Sequence, residues 1–249
     1  MTARRRIVML MWSANTRDGE NWIQIPTGYK AKRQWSPQIG DLFPNFAADS
    51  THGRLTFHSW AGNDWIYFFS HPAPFRGVCS TELASLASAF RDARKMGLRI
   101  IGLTRAPLPE IGRWIDEVEQ VFDLSVDFPV ISDAEGRLAR SFGLIHEREN
   151  PALTMRKSFI IDPSLRVRLM FDYPAMVGRS TEEVLRTVAA LQASDRTRLA
   201  TPADWQPGDY LVAPPGITDD DMDRSFGVGW SPVLDYIRVV HPRAVSGAA

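Results

Sequence analysis

The stretch HPAPFRGVCSTEL, residues 71–83, decides how this chain is read. Before it comes WIYFFS (65–70), an aromatic and β-branched run that predicts a buried strand. After it, CSTELASLASAFRDARKMG (79–97) predicts a helix: Leu83, Leu86, Ala87 and Phe90 share one face, basic residues gather in the last turn, and Gly97 supplies the stop. Strand, proline-rich turn and helix therefore meet at Cys79, the single cysteine of 249 residues. A buried cysteine is commonly an inert small hydrophobe. This one falls in the first turn of a helix, where unpaired amides and the helix dipole favour an anion. A free thiol with a pKa of about 8.5 is about 3% thiolate at pH 7, and a pKa near 6 requires about 3.4 kcal/mol of differential stabilisation. A helix terminus provides at most about 2 kcal/mol, so a cation must provide the rest. Arg76, just upstream, is the local candidate; an arginine brought in by the fold is the other.

Further along, LRIIGLT (98–104) predicts a second buried strand and residues 109–122 a helix. FPVISD (128–133) reads as strand or turn, with a short helix over 135–141. RKSFIID (156–162) and RVRLMFDY (166–173) flank Pro163-Ser164 as a hairpin. TEEVLRTVAALQ (181–192) is a helix capped by Ser180 or Thr181, with Val184, Leu185, Val188 and Leu191 at helical spacing. The order β-α-β-α-β, then a hairpin, then a helix predicts an α/β fold with a central mixed sheet and helices on both faces, as in thioredoxin-like folds. Three segments are expected: an N-terminal extension of unassigned role (1–38), the α/β domain (39–195), and a short, strand-poor C-terminal module (196–249) rich in proline and glycine.

Hydrophobic residues make up 44% and charged residues 23%, an ordinary balance for a globular protein. Basic and acidic residues number 29 each, which leaves no global drive toward nucleic acid or an anionic membrane. One cysteine permits no internal disulfide, so a reducing, cytoplasmic setting is expected. MTARRR and the apolar IVMLMW resemble the start of a signal peptide, but the apolar run covers about seven residues and no small-residue cleavage pattern follows. No stretch approaches the roughly 20 apolar residues that span a bilayer.

Residues 71–83 also resemble the active-site loop of the one-cysteine peroxiredoxins, through His71-Pro72, Phe75, Val78-Cys79 and Thr81-Glu82-Leu83. GDLFPNF (40–46) with GRLTFHSW (53–60) resembles the family's opening hairpin, YPAMVGRS (173–180) the segment before its last domain helix, and RLATPADWQPGD (198–209) the start of its C-terminal module. The resemblance implies that Cys79 is the nucleophile toward a peroxide, Pro72 its shield, and Arg156 the arginine that polarises thiolate and peroxide. Glu82 and Arg179 would form a supporting polar network, with His71 beside the loop. It further implies a cysteine sulfenic acid reduced by an outside thiol, or by ascorbate, a homodimer or higher oligomer, and no cofactor.

The chain departs from the family pattern in the loop itself. The family threonine three residues before the cysteine is Arg76 here, and the proline after it is Gly77. Arginine has five donors, no acceptor and more bulk. Arg76 could acidify the thiol, misalign the peroxide, recruit an anionic substrate, or point to solvent. Two further readings therefore stand beside a peroxidase: a repurposed enzyme acting on a non-peroxide metabolite, and a redox sensor or binding protein. The lipase-like Gly-x-Ser-x-Gly segment of some members is Gly62-Asn63-Asp64-Trp65-Ile66, without a serine, so His58 has no nucleophile to serve. His52, His58, His71, His146 and His241 are too scattered for a metal site. The acidic run 218–223 reads as the start of a solvated helix.

Overall fold

The computed structural model describes residues 15–17, 20–22, 35–146, 150 and 152–245, in a chain that divides into units 1–34 and 35–249. In the first unit β1 (Asn15–Arg17) pairs antiparallel with β2 (Glu20–Trp22), a hairpin that no periodicity in the sequence announced.

The second unit is built around β5 (Trp65–His71), buried at every residue. A strand covered on both faces reads as a continuous apolar run, which is how WIYFFS reads. Trp65, Tyr67 and Phe69 point into one core with Cys79, Leu83, Trp114 and Val188. Ile66 and Phe68 point into the other, with Phe57, Ala139 and Phe159. Around β5 lie β3 (Ala47–Ser50), β4 (Gly53–Thr56), β6 (Leu98–Thr104), β7 (Val130–Ser132), β8 (Arg156–Ile161) and β9 (Val167–Tyr173), in the sheet order β4-β3-β7-β6-β5-β8-β9. The β5-β6 and β6-β7 pairs are parallel and the rest antiparallel. Helices α2 (Gly77–Lys95), α3 (Leu108–Phe122) and α5 (Thr181–Thr197) supply the first core, and α1 (Phe57–Ala61) and α4 (Arg137–Ser141) the second. The expected mixed sheet with helices on both faces is present.

Boundaries differ from the sequence reading in informative places. Helix α2 starts at Gly77, so Cys79 is its third residue and Arg76 its N-cap. Ser180 caps α5 by accepting the Glu183 amide, and the helix runs on to Thr197, past Gln192. The expectation of a strand-poor C-terminal module is corrected: β10 (Leu211–Val212), β11 (Trp230–Leu234) and β12 (Ile237–Val240) form a three-stranded sheet in the order β10-β12-β11. These strands are short, and β11 carries Pro232 beside a register shift, so neither length nor alternation marked them. With α6 (Asp219–Phe226) and α7 (Pro242–Val245), they cover the far side of α5: Ala190 and Ala193 share a core with Trp205, Leu211, Met222 and Val240. The acidic run opens α6 as expected, with a capping box between Thr218 and Asp221.

Candidate active site

Cys79 is fully buried, in a helix turn with no acidic residue and no side-chain cap, so its amides and dipole act unopposed. The preceding loop buries Pro72 and Pro74 and exposes Phe75, which sits in the left-handed backbone region at φ 55°. That strained turn brings the chain from the end of β5 to the start of α2.

On the neighbouring strand, Arg156 is the first residue of β8 and is 1% exposed. All three guanidinium nitrogens are engaged: Nη2 donates to Cys79 Sγ at 3.5 Å, Nη1 to Glu82 Oε2 at 2.6 Å, and Nε to the Ala175 carbonyl at 2.9 Å. Glu82 lies one turn beyond Cys79 on α2 and also binds Arg179. Its Oε1 accepts the Arg179 amide at 2.8 Å and Nε at 2.9 Å, and its Oε2 accepts Nη2 at 2.9 Å. Arg179 reaches on to the Ser70 carbonyl at 3.1 Å and lies over the Phe69 ring at 5.3 Å. Gly178 permits this approach, because a Cβ there would meet Val78 Cγ1 at 3.3 Å.

His71 closes the group. Its Nδ1 is 3.6 Å from Glu82 Oε2, and neither ring nitrogen has a hydrogen bond of ordinary length although the residue is fully buried. The ring stands edge-on to Phe69 and Trp114, with centroids 4.8 and 5.2 Å away. Trp114 also donates Nε1–H to Ser80 Oγ at 2.9 Å, tying α3 to the turn that carries the thiol.

These contacts set the charge states. Burial pushes the Cys79 thiol up, but His71, the Ala73 amide and Arg156 more than reverse it and lower the pKa from 9.0 to about 7. Burial also opposes ionisation of Glu82, yet His71 and Arg179 hold its carboxyl well below the usual carboxylate range. A thiol at about 7 is about half thiolate at neutral pH. A buried, partly ionised sulfur held against a guanidinium is equipped for nucleophilic attack on a small molecule.

Of the residues singled out in the sequence, Cys79, Arg156, Glu82, Arg179 and His71 converge, and Pro72 is buried in the adjoining loop. Arg76 does not join them: it is exposed, and its guanidinium makes no hydrogen bond or ion pair among the described residues. The acidity of the thiol therefore comes from His71, the Ala73 amide and Arg156, not from the local arginine. Sequence reasoning missed the Ala73 amide, the Ala175 carbonyl and the Trp114–Ser80 bond. The one legible signal was Trp114, on the buried face of α3 with Ile111, Ile115 and Val118. His58 bonds the Phe43 carbonyl at 2.8 Å, and Asp64 is held by Arg99 at 2.5 Å, so both have structural partners. No cluster of metal-ligating side chains occurs among the described residues, and no described helix is long and apolar enough to cross a membrane.

Comparison with known proteins agrees with this geometry. Residues 39–170 match the model of the AhpC/TSA family, and residues 190–224 that of the C-terminal domain of 1-Cys peroxiredoxin. A 1-Cys peroxiredoxin of Dictyostelium discoideum is 32% identical over 86% of this chain and 90% of its own. Peroxiredoxin 2 of Picrophilus torridus is 38% identical over 74% of this chain and 90% of its own. The yeast mitochondrial 1-Cys peroxiredoxin, whose structure addresses thiol resolution via glutathione/thioredoxin systems, superposes with a TM-score of 0.77 at 33% identity, covering 82% of this chain and 99% of that one. A cysteine-to-serine mutant of peroxiredoxin 6 from Arenicola marina gives 0.77 at 34% identity, covering 82% and 98%.

Proposed function

The chain belongs to the AhpC/TSA family, and from that membership we propose that it is a thiol-dependent peroxidase whose Cys79 reduces hydrogen peroxide or an organic hydroperoxide. The observation that carries this reading is the buried contact between Arg156 and Cys79, in which the arginine is fixed by two further bonds. Sγ attacks the terminal peroxide oxygen. A sulfur electron pair forms the S–O bond while the O–O bond breaks, and the departing hydroxide or alkoxide takes up a proton to leave as water or an alcohol. Sulfur is oxidised by two electrons and the peroxide is reduced. His71, the Ala73 amide and Arg156 stabilise the thiolate beforehand, and the fixed guanidinium can meet charge developing on the leaving oxygen. His71 belongs to the same network, with Nδ1 3.6 Å from Glu82 Oε2.

The product is a sulfenic acid on the single cysteine, so an external thiol completes the cycle. It displaces water to form a mixed disulfide, and a second thiol releases Cys79. The glutathione/thioredoxin systems named for the yeast relative supply the class of reductant. We place the protein in a reducing compartment, the cytoplasm, and as a homodimer. The lone thiol supports the first. For the second, β9 ends the sheet, and the C-terminal hairpin carries exposed Val233, Leu234 and Tyr236, an edge and a patch of the kind covered by association.

The test is the second-order rate at which hydrogen peroxide oxidises Cys79, with sulfenic acid followed by mass spectrometry and Cys79→Ser as the blank. A rate orders of magnitude above that of a free thiol is expected. A rate equal to a free thiol's, or peroxide turnover that survives in Cys79→Ser, overturns the reading. Sedimentation of the reduced protein reads the oligomeric state, with a monomer ruling out the dimer.

A further inference from the structure

The two buried arginines beside the thiol are committed: Arg156 bonds Glu82 and Cys79, and Arg179 bonds Glu82. Arg76 stands outside that cluster. It caps α2, its carbonyl accepts the Ser80 amide at 2.9 Å, and it is exposed and forms no ion pair among the described residues. Arg76 stands three residues before Cys79, as the N-cap of the helix turn that carries the sulfur. Exposed apolar side chains lie in the two segments that adjoin this turn. Phe75 is 46% exposed, held out by its left-handed backbone. On the other side, Met176 and Val177 are 85% and 48% exposed, in a segment anchored by the Ala175 carbonyl on Arg156 and by Gly178 against Val78. Large apolar side chains gathered in the open mark a binding surface. Here the charge exposed at the start of α2, next in sequence to Phe75, is the positive one of Arg76.

Resting on the peroxidase reading, we infer that Arg76 is a specificity-determining residue that selects organic hydroperoxides bearing a carboxylate, with the carboxylate on Arg76, the hydrocarbon along Phe75, Met176 and Val177, and the hydroperoxide at Cys79. A guanidinium suits a carboxylate through paired N–H donors. The chemistry at sulfur is unchanged: the S–O bond forms, the O–O bond breaks, and the hydroxy acid leaves. An exposed ion pair carries a modest energy, so the expected discrimination is about fivefold, and it is screened by salt.

The probes are linoleic acid hydroperoxide and its methyl ester, both kept below micelle-forming concentration, with hydrogen peroxide as the reference. Each rate is divided by the same protein's hydrogen peroxide rate. The wild type is expected to favour the acid over the ester about fivefold at low salt. That ratio should fall toward one in 0.5 M salt (roughly 4 Å of Debye screening) and in Arg76→Met, and should be largely kept in Arg76→Lys. Equal rates for acid and ester in the wild type, or a preference that survives in Arg76→Met, overturn the inference while leaving the peroxidase reading intact. A hydrogen peroxide rate no better than a free thiol's overturns that earlier reading instead. Thermal melts of the variants confirm that folded proteins are being compared.

Discussion

Arg156 Nη1 donates to Glu82 Oε2 at 2.6 Å, and the two side chains are 1% and 4% exposed. At that burial the pair is not a surface ornament. Removing one partner of a buried ion pair costs about 3–5 kcal/mol, because the other is left charged and unpaired. Glu82→Ala strands two guanidinium groups, Arg156 and Arg179, and should lower stability by about that amount. Glu82→Gln keeps acceptor capacity and should lose less. Urea denaturation with an unchanged slope reads both, and an alanine variant within 1 kcal/mol of the wild type (about the worth of a surface pair) refutes the assignment.

The acidity of Cys79 ties reactivity and stability to pH. Its folded pKa is lowered from 9.0 to about 7, so alkylation by iodoacetamide should rise with pH through about 7 and then level off. The stability effect has a definite sign. Above the unfolded pKa the full contribution is present; as pH falls toward 7 the unfolded chain binds the proton first and the advantage is lost. Below about 7 both states carry the neutral thiol. Between pH 7 and 9 the wild type should gain on the order of 2 kcal/mol relative to Cys79→Ser, at about 1.36 kcal/mol per pKa unit. A flat difference across that window contradicts the lowered pKa.

The sheet was legible because β5 and β6 are buried along their length and their sequences are near-continuous apolar runs. The α2 turn was legible because the cysteine stands where the apolar period changes from strand to helix. Less visible were groups that act through the main chain: the Ala73 amide and the Ala175 carbonyl do their work whatever side chain they carry. Arg76 was misleading for a related reason. Proximity in sequence suggested contact with the sulfur, but the N-cap backbone, at φ −110° and ψ 130°, leaves its side chain exposed, while Arg156 arrives from a distant strand. The C-terminal sheet escaped notice because two-residue β10 and proline-bearing β11 carry no strand period.

Trp114 and Ser80 should behave as a coupled pair. The indole N–H is buried and its described partner is Ser80 Oγ, at 2.9 Å. Ser80→Ala leaves that donor unsatisfied, at a cost of about 1–3 kcal/mol, and Trp114→Phe removes the donor together with packing volume. Once Trp114 is phenylalanine, losing the Ser80 hydroxyl costs little. The double variant should therefore be less destabilised than the sum of the singles by about 1 kcal/mol. Strict additivity in thermal or urea unfolding shows that the bond does not hold the thiol's turn.

Arg156→Lys separates charge from geometry. Lysine keeps one positive charge but cannot donate at once to Sγ, Glu82 and the Ala175 carbonyl from a planar fork, as the guanidinium does. With the fork gone, the ammonium will follow the fully charged Glu82 carboxylate, the stronger attractor, and leave the sulfur less stabilised. The Cys79 pKa should then rise by about one unit, and oxidation by hydrogen peroxide at pH 7 should fall by about 10- to 100-fold, since the thiolate fraction and the stabilisation of the leaving oxygen are lost together. Measuring the rate at high pH separates the two. Where the thiol is fully ionised in both proteins, a remaining deficit reports the contact with the leaving oxygen, and complete recovery restricts Arg156 to acidifying the thiol.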